Sequence, residues 1–129
     1  MDHAIMEKLE NERLKNFARL TAASHRFSIN ELVPRLKKIA RNSRGSIASI
    51  TYTFVVMRDG YNIEVLRPII TVDNGNRYVD GSVGYSQKCI EGYLSKNGFI
   101  VEWADDGYLE YGYDSVPVKK LTVSVKKIL

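Results

Sequence analysis

The sequence predicts an α+β fold, in which an antiparallel sheet of about five to six strands packs against helices in the order α-α-β-β-β-α-β-β-β. Apolar residues recur at helical spacing near the amino terminus, and from residue 47 onwards apolar and polar residues alternate with the period of a strand. Turn dipeptides divide the alternating region into short strands. With 129 residues, 44% of them hydrophobic, the chain is large enough for one globular domain, and we expect a single cooperative unit.

Two helices are predicted near the amino terminus. Residues 4 to 24 contain strong helix formers and neither Gly nor Pro, and most of their large apolar side chains fall on one broad side. Ser28 and Glu31 have the spacing of a capping box, which predicts that a second helix begins at Ser28 and runs to about Asn42. Pro34 predicts a kink, or a short first turn followed by a restart.

The first two strands are predicted at residues 47 to 57 and 61 to 72. The Asp-Gly dipeptide between them, at residues 59 and 60, suits a two-residue type I′ turn. Such a turn fixes a register with apolar partners on one face: Val56 with Ile63, Phe54 with Val65, and Ile50 with Ile69. Pro68 has no N–H to give to a ladder, so we expect the second strand to lie at an edge or to bulge.

The middle of the chain predicts a short strand and a third helix. A turn at the Asn-Gly pair of residues 74 and 75 leads to a strand around residues 78 to 83. Ser86 is placed to cap the helix, and the Asn-Gly pair at residues 97 and 98 is typical of its end.

Three further strands are predicted after this helix. The Asp-Asp-Gly triplet at residues 105 to 107 suits a three-residue hairpin loop, which pairs Trp103 with Leu109. The same register makes Glu102 and Glu110 direct cross-strand neighbours whose like charges repel. In the last strand, residues 118 to 126, alternation directs one set of side chains inward and another outward. The inward set is Leu121, Val123 and Val125, and the outward set includes Lys120 and Lys126.

Composition excludes several classes of protein. Cys89 is the single cysteine, so an internal disulfide is excluded and a structural zinc site would lack its usual thiolates. No apolar run approaches the roughly 20 residues of a membrane span. The amino terminus is too acidic and polar for a signal peptide. We therefore expect a protein of the reducing cytoplasm that does not enter membranes.

The charges are sorted into three blocks along the chain. Residues 1 to 44 carry ten Lys/Arg and five Asp/Glu, residues 45 to 115 carry five and ten, and residues 116 to 129 carry four Lys and no acid. We expect a basic helical segment, an acidic and tyrosine-rich β/α core, and a basic final strand within one domain. Fields of one sign select partners of the other sign, so this order is the main functional clue.

The second helix is predicted to carry a basic face opposite its apolar side. That face consists of Arg35, Lys37, Lys38, Arg41 and Arg44. Together with Lys120 and Lys126 of the final strand, it is suited to the phosphates of a nucleic acid. Three alternatives are an ordinary solvated helix face, contact with an acidic protein, and, for the lysines, protection of an edge strand from pairing with another molecule.

The acidic region combines carboxylates with tyrosines. Its candidate binding residues are Glu102, Asp105, Asp106, Tyr108, Glu110 and Tyr111. Solvated carboxylates, contact with a basic protein partner, and a metal or general acid/base pair are the open explanations. Tyrosine is a favoured anchor in protein interfaces, and acid with tyrosine can imitate a nucleic-acid strand, which suits an inhibitor of a basic groove.

No catalytic set, metal-ligand spacing or cofactor motif is evident in the sequence. We therefore expect a small non-catalytic binding protein, such as an inhibitor, adaptor or assembly subunit, that uses separated charged surfaces. A phage or another mobile element is a suitable source for such a chain. A protein partner is favoured over nucleic acid, and opposed patches also permit head-to-tail self-association.

Overall fold

The structure, a computed structural model, describes residues 2 to 42 and 47 to 126. Its elements follow the chain in a simple order: α1 His3–Phe27, a π-helical segment Ser28–Leu32, α2 Val33–Asn42, β1 Ile47–Arg58, β2 Glu64–Thr71, β3 Arg77–Val79, α3 Gln87–Lys96, β4 Ile100–Tyr111 and β5 Asp114–Lys126. The predicted α+β class is confirmed, with five strands.

The first two helices are continuous, and the predicted start of a second helix at Ser28 is wrong. Ser28 has helical backbone angles, and its hydroxyl donates to the carbonyl of Ser24 instead of capping a new helix. The helix passes through one π-helical turn, in which the N–H of Val33 donates to Ser28. This wider turn lies directly before Pro34. Because Pro34 has no N–H to continue the α-helical ladder, local widening is the expected response of the backbone.

All neighbouring strands are antiparallel, and their order across the sheet is β3-β2-β1-β5-β4. The expectation that Pro68 marks an edge or a bulge is wrong, since β2 lies between β1 and β3 and its pairing with β1 is regular through Phe54 and Pro68. The carbonyl of Pro68 accepts a hydrogen bond from Asp80, on the side away from β1. A residue in a strand directs its carbonyl and its N–H to the same side of the strand. The N–H that Pro68 lacks would therefore point away from β1, and the hydrogen bonds between β1 and β2 are unaffected.

The loop between β1 and β2 is longer than predicted. Val56 pairs with Leu66 instead of Ile63, so the register is shifted and residues 59 to 63 lie outside the strands. The carboxylate of Asp59 accepts the N–H groups of Tyr61 and Ile63. Asn62, with φ of 60°, adopts the left-handed conformation that the type I′ turn would have required at residue 60.

The predicted turn at residues 105 to 107 is a bulge within one long strand. β4 gains one residue relative to β5 between Asp105 and Tyr108, with Gly107 in the left-handed conformation. Trp103 therefore pairs with Leu121 and not with Leu109. The true turn occupies residues 112 and 113, where only Gly112 has positive φ, as a type II′ turn requires.

The remaining local predictions are confirmed, although β3 is shorter than expected. Gly75 has φ of 83° in the turn between β2 and β3. The hydroxyl of Ser86 accepts the N–H of Cys89 at the start of α3, and Gly98 follows its end with φ of 86°. Leu121 and Val123 are fully buried, as the alternation in β5 predicts.

The main core lies between the helices and one face of the sheet. Its buried residues come from every helical element, from β1, β2 and β5, and from the segment before α3: Phe27, Leu32, Leu36, Ile50, Phe54, Leu66, Tyr85, Ile90, Leu94, Leu121 and Val123. Ser24 joins α1 to α3, because its hydroxyl accepts the N–H of Ser86 at 2.8 Å. The face of the sheet away from this core is called the open face below.

Candidate binding surfaces

The predicted basic helix face is exposed in the structure. Its described members are Arg35, Lys37, Lys38 and Arg41, all on the solvent side of α2, whereas Leu36 on the opposite side is fully buried. None of the four has a carboxylate within ion-pair distance among the described residues. Arg44 lies outside the described residues. The basic helix face therefore presents four cations to a partner.

One cation of this face is fixed by the sheet beneath it. The guanidinium of Arg35 donates to the Tyr52 hydroxyl at 2.9 Å and lies 5.4 Å from the centre of the same ring. The side chain of Arg41 is turned back along the helix, since its Nε donates to the carbonyl of Lys37. Two of the four cations thus have restricted orientations, while Lys37 and Lys38 extend into solvent.

The final strand adds little to the basic helix face. Lys120 lies on the open face, beside Thr53 of β1 and Ala104 of β4, and is half-buried. α2 packs on the opposite face, so Lys120 and the basic helix face cannot contact one surface together. The side chain of Lys126 is outside the described part of the structure. The prediction that α2 and the C-terminal lysines form one basic surface is therefore wrong for Lys120.

The acidic candidates gather at the far end of β4 and β5. We call residues 104 to 115 the acid–tyrosine hairpin. It contains four carboxylate residues and three tyrosines but no lysine or arginine: Asp105, Asp106, Glu110, Asp114, Tyr108, Tyr111 and Tyr113. Tyr108 is 71% exposed, and Tyr113, at the turn, is fully exposed. Large aromatic surfaces are thereby held in water beside negative charge, which a cross-strand lysine, Lys119, accompanies only at Asp105.

The bulge at Gly107 determines where this hairpin lies. The ladder between β1 and β5 ends at Val118, so residues 114 to 117 pair with β4 alone. Leu109 and Val116 pack on the open face against a small cluster that also includes residues of β1, β2 and β3. A bulge with a left-handed glycine bends and twists its strand, which allows the end of the hairpin to curl across the open face. Leu109 and Val116 thus fix the hairpin, and Tyr108 on its other side faces solvent.

Glu102 and Glu110 are not neighbours, so the predicted repulsive pair is wrong. Glu102 lies opposite Thr122, and Glu110 lies opposite Ser115, eight positions farther along the same strand. The pairing partners place the two carboxylates on opposite faces of the sheet. They cannot converge on one metal ion or act as one general acid/base pair. Within the described ranges, no group of three or more potential metal ligands is present.

The two charged surfaces lie toward opposite ends of the sheet. Four residues separate the end of α2 from Ile47, where β1 begins, and this end of the sheet is also the end of β5 at Lys126. The turn of the acid–tyrosine hairpin is at the other end of β5, whose 13 residues span about 40 Å. Between these ends the two surfaces come closer, because Arg35 contacts Tyr52 of β1 and only β5 separates this tyrosine from Trp103, two residues before Asp105.

The charges of these surfaces are not neutralised by each other. In the part of the chain that the structure describes, a single ion pair occurs, between Arg13 and Glu10 on α1. Neither residue belongs to the basic helix face or to the acid–tyrosine hairpin. The order of charges in the sequence thus becomes spatial separation of the two candidate surfaces.

The sequence pattern did not indicate two features of the structure. Tyr113 is not among the candidate residues that the sequence predicts, yet it is the most exposed large side chain of the hairpin. Its signal was the preceding Gly112, because Gly-X is a type II′ turn dipeptide. The apolar stripe of α1 does not by itself show which part of the helix packs, and its first half is exposed: Ile5, Met6, Leu9 and Phe17 are each half accessible to solvent.

No helix within residues 2 to 42 and 47 to 126 combines the length and the apolar character needed to cross a bilayer. In comparisons with known proteins, no protein-family model, no curated protein and no solved structure matches this chain.

Proposed function

We propose that this chain is a small non-catalytic binding protein whose acid–tyrosine hairpin engages a basic surface on another protein. The observation that carries the proposal is the coincidence of exposed Tyr108 and Tyr113 with four carboxylates in one hairpin packed on the open face, where the cation opposite its first carboxylate is Lys119. Tyrosine contributes large contact area at low conformational cost, so it is enriched among the residues that dominate binding energy. The carboxylates select a positively charged partner and accelerate its association.

The seating of the hairpin supports a role in recognition. Leu109 and Val116 pack on the small cluster of the open face, and the Tyr111 hydroxyl lies 3.9 Å from where a side-chain carbon would sit on Gly81. A hairpin held from beneath loses little freedom when a partner contacts its outer side. Preorganisation of this kind raises affinity by lowering the entropic cost of binding.

Nucleic-acid binding through the basic helix face is the second candidate. The exposure of Lys37 and Lys38 and the absence of described carboxylate partners favour it. However, α2 has ten residues, a length of about 15 Å, and its exposed face carries no aromatic side chain for stacking. The hairpin combines charge with aromatic anchors, so the protein-binding proposal has the stronger support.

The test is affinity capture from extract of the source cells, with the full chain as bait and in the presence and absence of nuclease, followed by quantitative mass spectrometry. We expect at least one basic protein to be retained by wild type and lost with the double variant Tyr108→Ala, Tyr113→Ala. Tyr78→Ala is the matched control, because Tyr78 is 52% exposed but lies on β3. This control variant is expected to retain the partner.

Reversing charge separates the two candidate functions. With a protein partner, Glu110→Lys weakens capture strongly, while Lys37→Glu combined with Arg41→Glu has a small effect. The opposite ranking, together with loss of every captured species on nuclease treatment, would overturn the proposal in favour of nucleic acid. In that case affinity for random duplex also falls steeply with salt, as release of counterions requires.

A further inference from the structure

We propose that α1 pairs with α1 of a second copy of this chain in antiparallel orientation, through an apolar stripe formed by Ile5, Met6, Leu9 and Phe17. This self-association uses a surface separate from the acid–tyrosine hairpin and goes beyond the proposed binding function. The stripe is exposed and continuous with the core, and the order of charges along the helix favours the antiparallel orientation.

The stripe is unusually exposed for a regular helix of this length. At 100° per residue its four side chains fall within a sector of about 120°. Each of the four is 50 to 53% exposed. An accessible row of large apolar side chains on one helix face is typical of a helix that packs against another helix.

The same stripe is buried where the rest of the protein reaches it. Leu20 and Phe27 continue the row toward the end of α1, and both are buried. Nearer the amino terminus, hydrogen bonds join α1 to the described remainder of the chain at the β1–β2 loop. There, Asn16 donates to Asp59, and Tyr61 donates to Glu12. This loop covers one flank of the helix and leaves a groove of about 430 Å³ beside Met6, Leu9 and Tyr61.

The charges of α1 determine which orientation of two copies is favourable. Residues 2 to 12 contain four acidic residues and one lysine, whereas residues 13 to 26 contain four basic residues and no acid. Parallel copies would place like charges together. Antiparallel copies bring the acidic half of each helix beside the basic half of the other. Setting Leu9 opposite Phe17 also sets Glu7 opposite Arg19, and it places Arg13, whose guanidinium pairs with Glu10 on its own helix, at the two-fold axis. Such a contact has two-fold symmetry and closes at two copies.

Sedimentation equilibrium of the full chain over a range of concentrations tests the pairing. Wild type is expected to dimerise reversibly, and Leu9→Glu is expected to raise the dimer dissociation constant at least tenfold. Leu14→Glu is the matched control, because Leu14 is 53% exposed on the same helix but lies about 140° around it from Leu9. Since both positions are exposed, both variants fold, which circular dichroism verifies. A wild type that stays monomeric, or equal weakening by both variants, overturns the proposal.

Disulfide trapping tests the orientation. In a Cys89→Ser background, Arg13→Cys lies near the two-fold axis and is expected to form a disulfide between copies with itself. Leu9→Cys is expected to do so only when mixed with Phe17→Cys, since both positions are exposed. Efficient self-linking of Leu9→Cys would show parallel helices and contradict the proposed arrangement. The hairpin variant Tyr108→Ala, Tyr113→Ala is expected to dimerise like wild type, so the outcome does not depend on the proposed function.

Discussion

Gly84 shows how a single residue controls the packing of α1 against β2. A side-chain carbon built on Gly84 would lie 2.6 Å from Cγ1 of Val65 and 3.3 Å from Cδ2 of Leu20. Val65 is a stiff β-branched residue that is 2% exposed, so it has little room to move. The close approach of α1, β2 and the loop before α3 therefore depends on the absence of a side chain.

We predict that Gly84→Ala lowers the free energy of unfolding by about 1–3 kcal/mol through overpacking. Gly92→Ala is the matched control, because Gly92 lies within α3 and an added carbon meets nothing within 4 Å. Alanine at that helical position is expected to stabilise by about 0.5–1 kcal/mol. Urea unfolding measures the change in the free energy of unfolding for both variants. Equal effects of the two substitutions would show that the contact at Gly84 is not limiting.

Tyr85 couples stability to pH at the alkaline end. Burial in the main core raises the pKa of Tyr85 to about 12, whereas an unfolded chain has a tyrosine pKa near about 10. The folded state thus favours the neutral phenol. The stability that the buried neutral phenol contributes is fully present below about pH 10 and is lost as the pH rises through about 12.

We predict that the fall in unfolding free energy across this alkaline window is smaller in Tyr85→Phe than in wild type, because phenylalanine has no proton to lose. Tyr113→Phe serves as the control, since Tyr113 is fully exposed and its hydroxyl is solvated in both states. Urea titrations at several alkaline pH values measure the difference. Parallel curves for wild type and Tyr85→Phe would exclude a buried phenol as the cause.

Among the elements, the β4–β5 pair depends most on local backbone geometry. Gly107 has φ of 77° at the bulge, a conformation that residues with a side chain rarely adopt. The bulge bends the strand and allows Leu109 to reach the small cluster on the open face. The position of the acid–tyrosine hairpin therefore depends on this glycine.

We predict that Gly107→Ala costs about 1–2 kcal/mol of stability from left-handed strain. It is also expected to increase amide exchange in residues 108 to 116, where the hairpin loosens from the open face. Gly60→Ala is the control, because Gly60 has no positive φ and an added carbon meets nothing there. An unchanged exchange pattern in Gly107→Ala would mean that the bulge does not hold the hairpin in place.

The elements that the sequence predicts well are those fixed by local chemistry. Ser86 and the Asn-Gly pair at residues 97 and 98 bound α3 as expected, since caps act over a few residues. Predictions of register failed at both hairpins. Both Asp-Gly and Asp-Asp-Gly have the composition of tight turns. At Asp-Gly, hydrogen bonds to the side chain of Asp59 favour a longer loop. At Asp-Asp-Gly, pairing with the long strand β5 favours a bulge.

At the scale of the whole molecule, charge blocks in the sequence correspond to separate surfaces because α2 and the acid–tyrosine hairpin are attached near opposite ends of the sheet. Two details depended on tertiary structure and could not be predicted locally. Lys120 is on the open face and away from α2, and Glu102 and Glu110 are on opposite faces of β4. The sequence shows which residues are charged, but the topology of the sheet determines which of them share one surface.

The most direct test of the proposed binding surface is amide hydrogen exchange of the full chain, measured alone and in complex with the basic protein that it captures. We predict protection concentrated in residues 104 to 115, with α2 unchanged, because the acid–tyrosine hairpin supplies both the charge and the aromatic anchors. Protection of Val33–Asn42 with an unchanged acid–tyrosine hairpin would contradict this account and assign binding to the basic helix face.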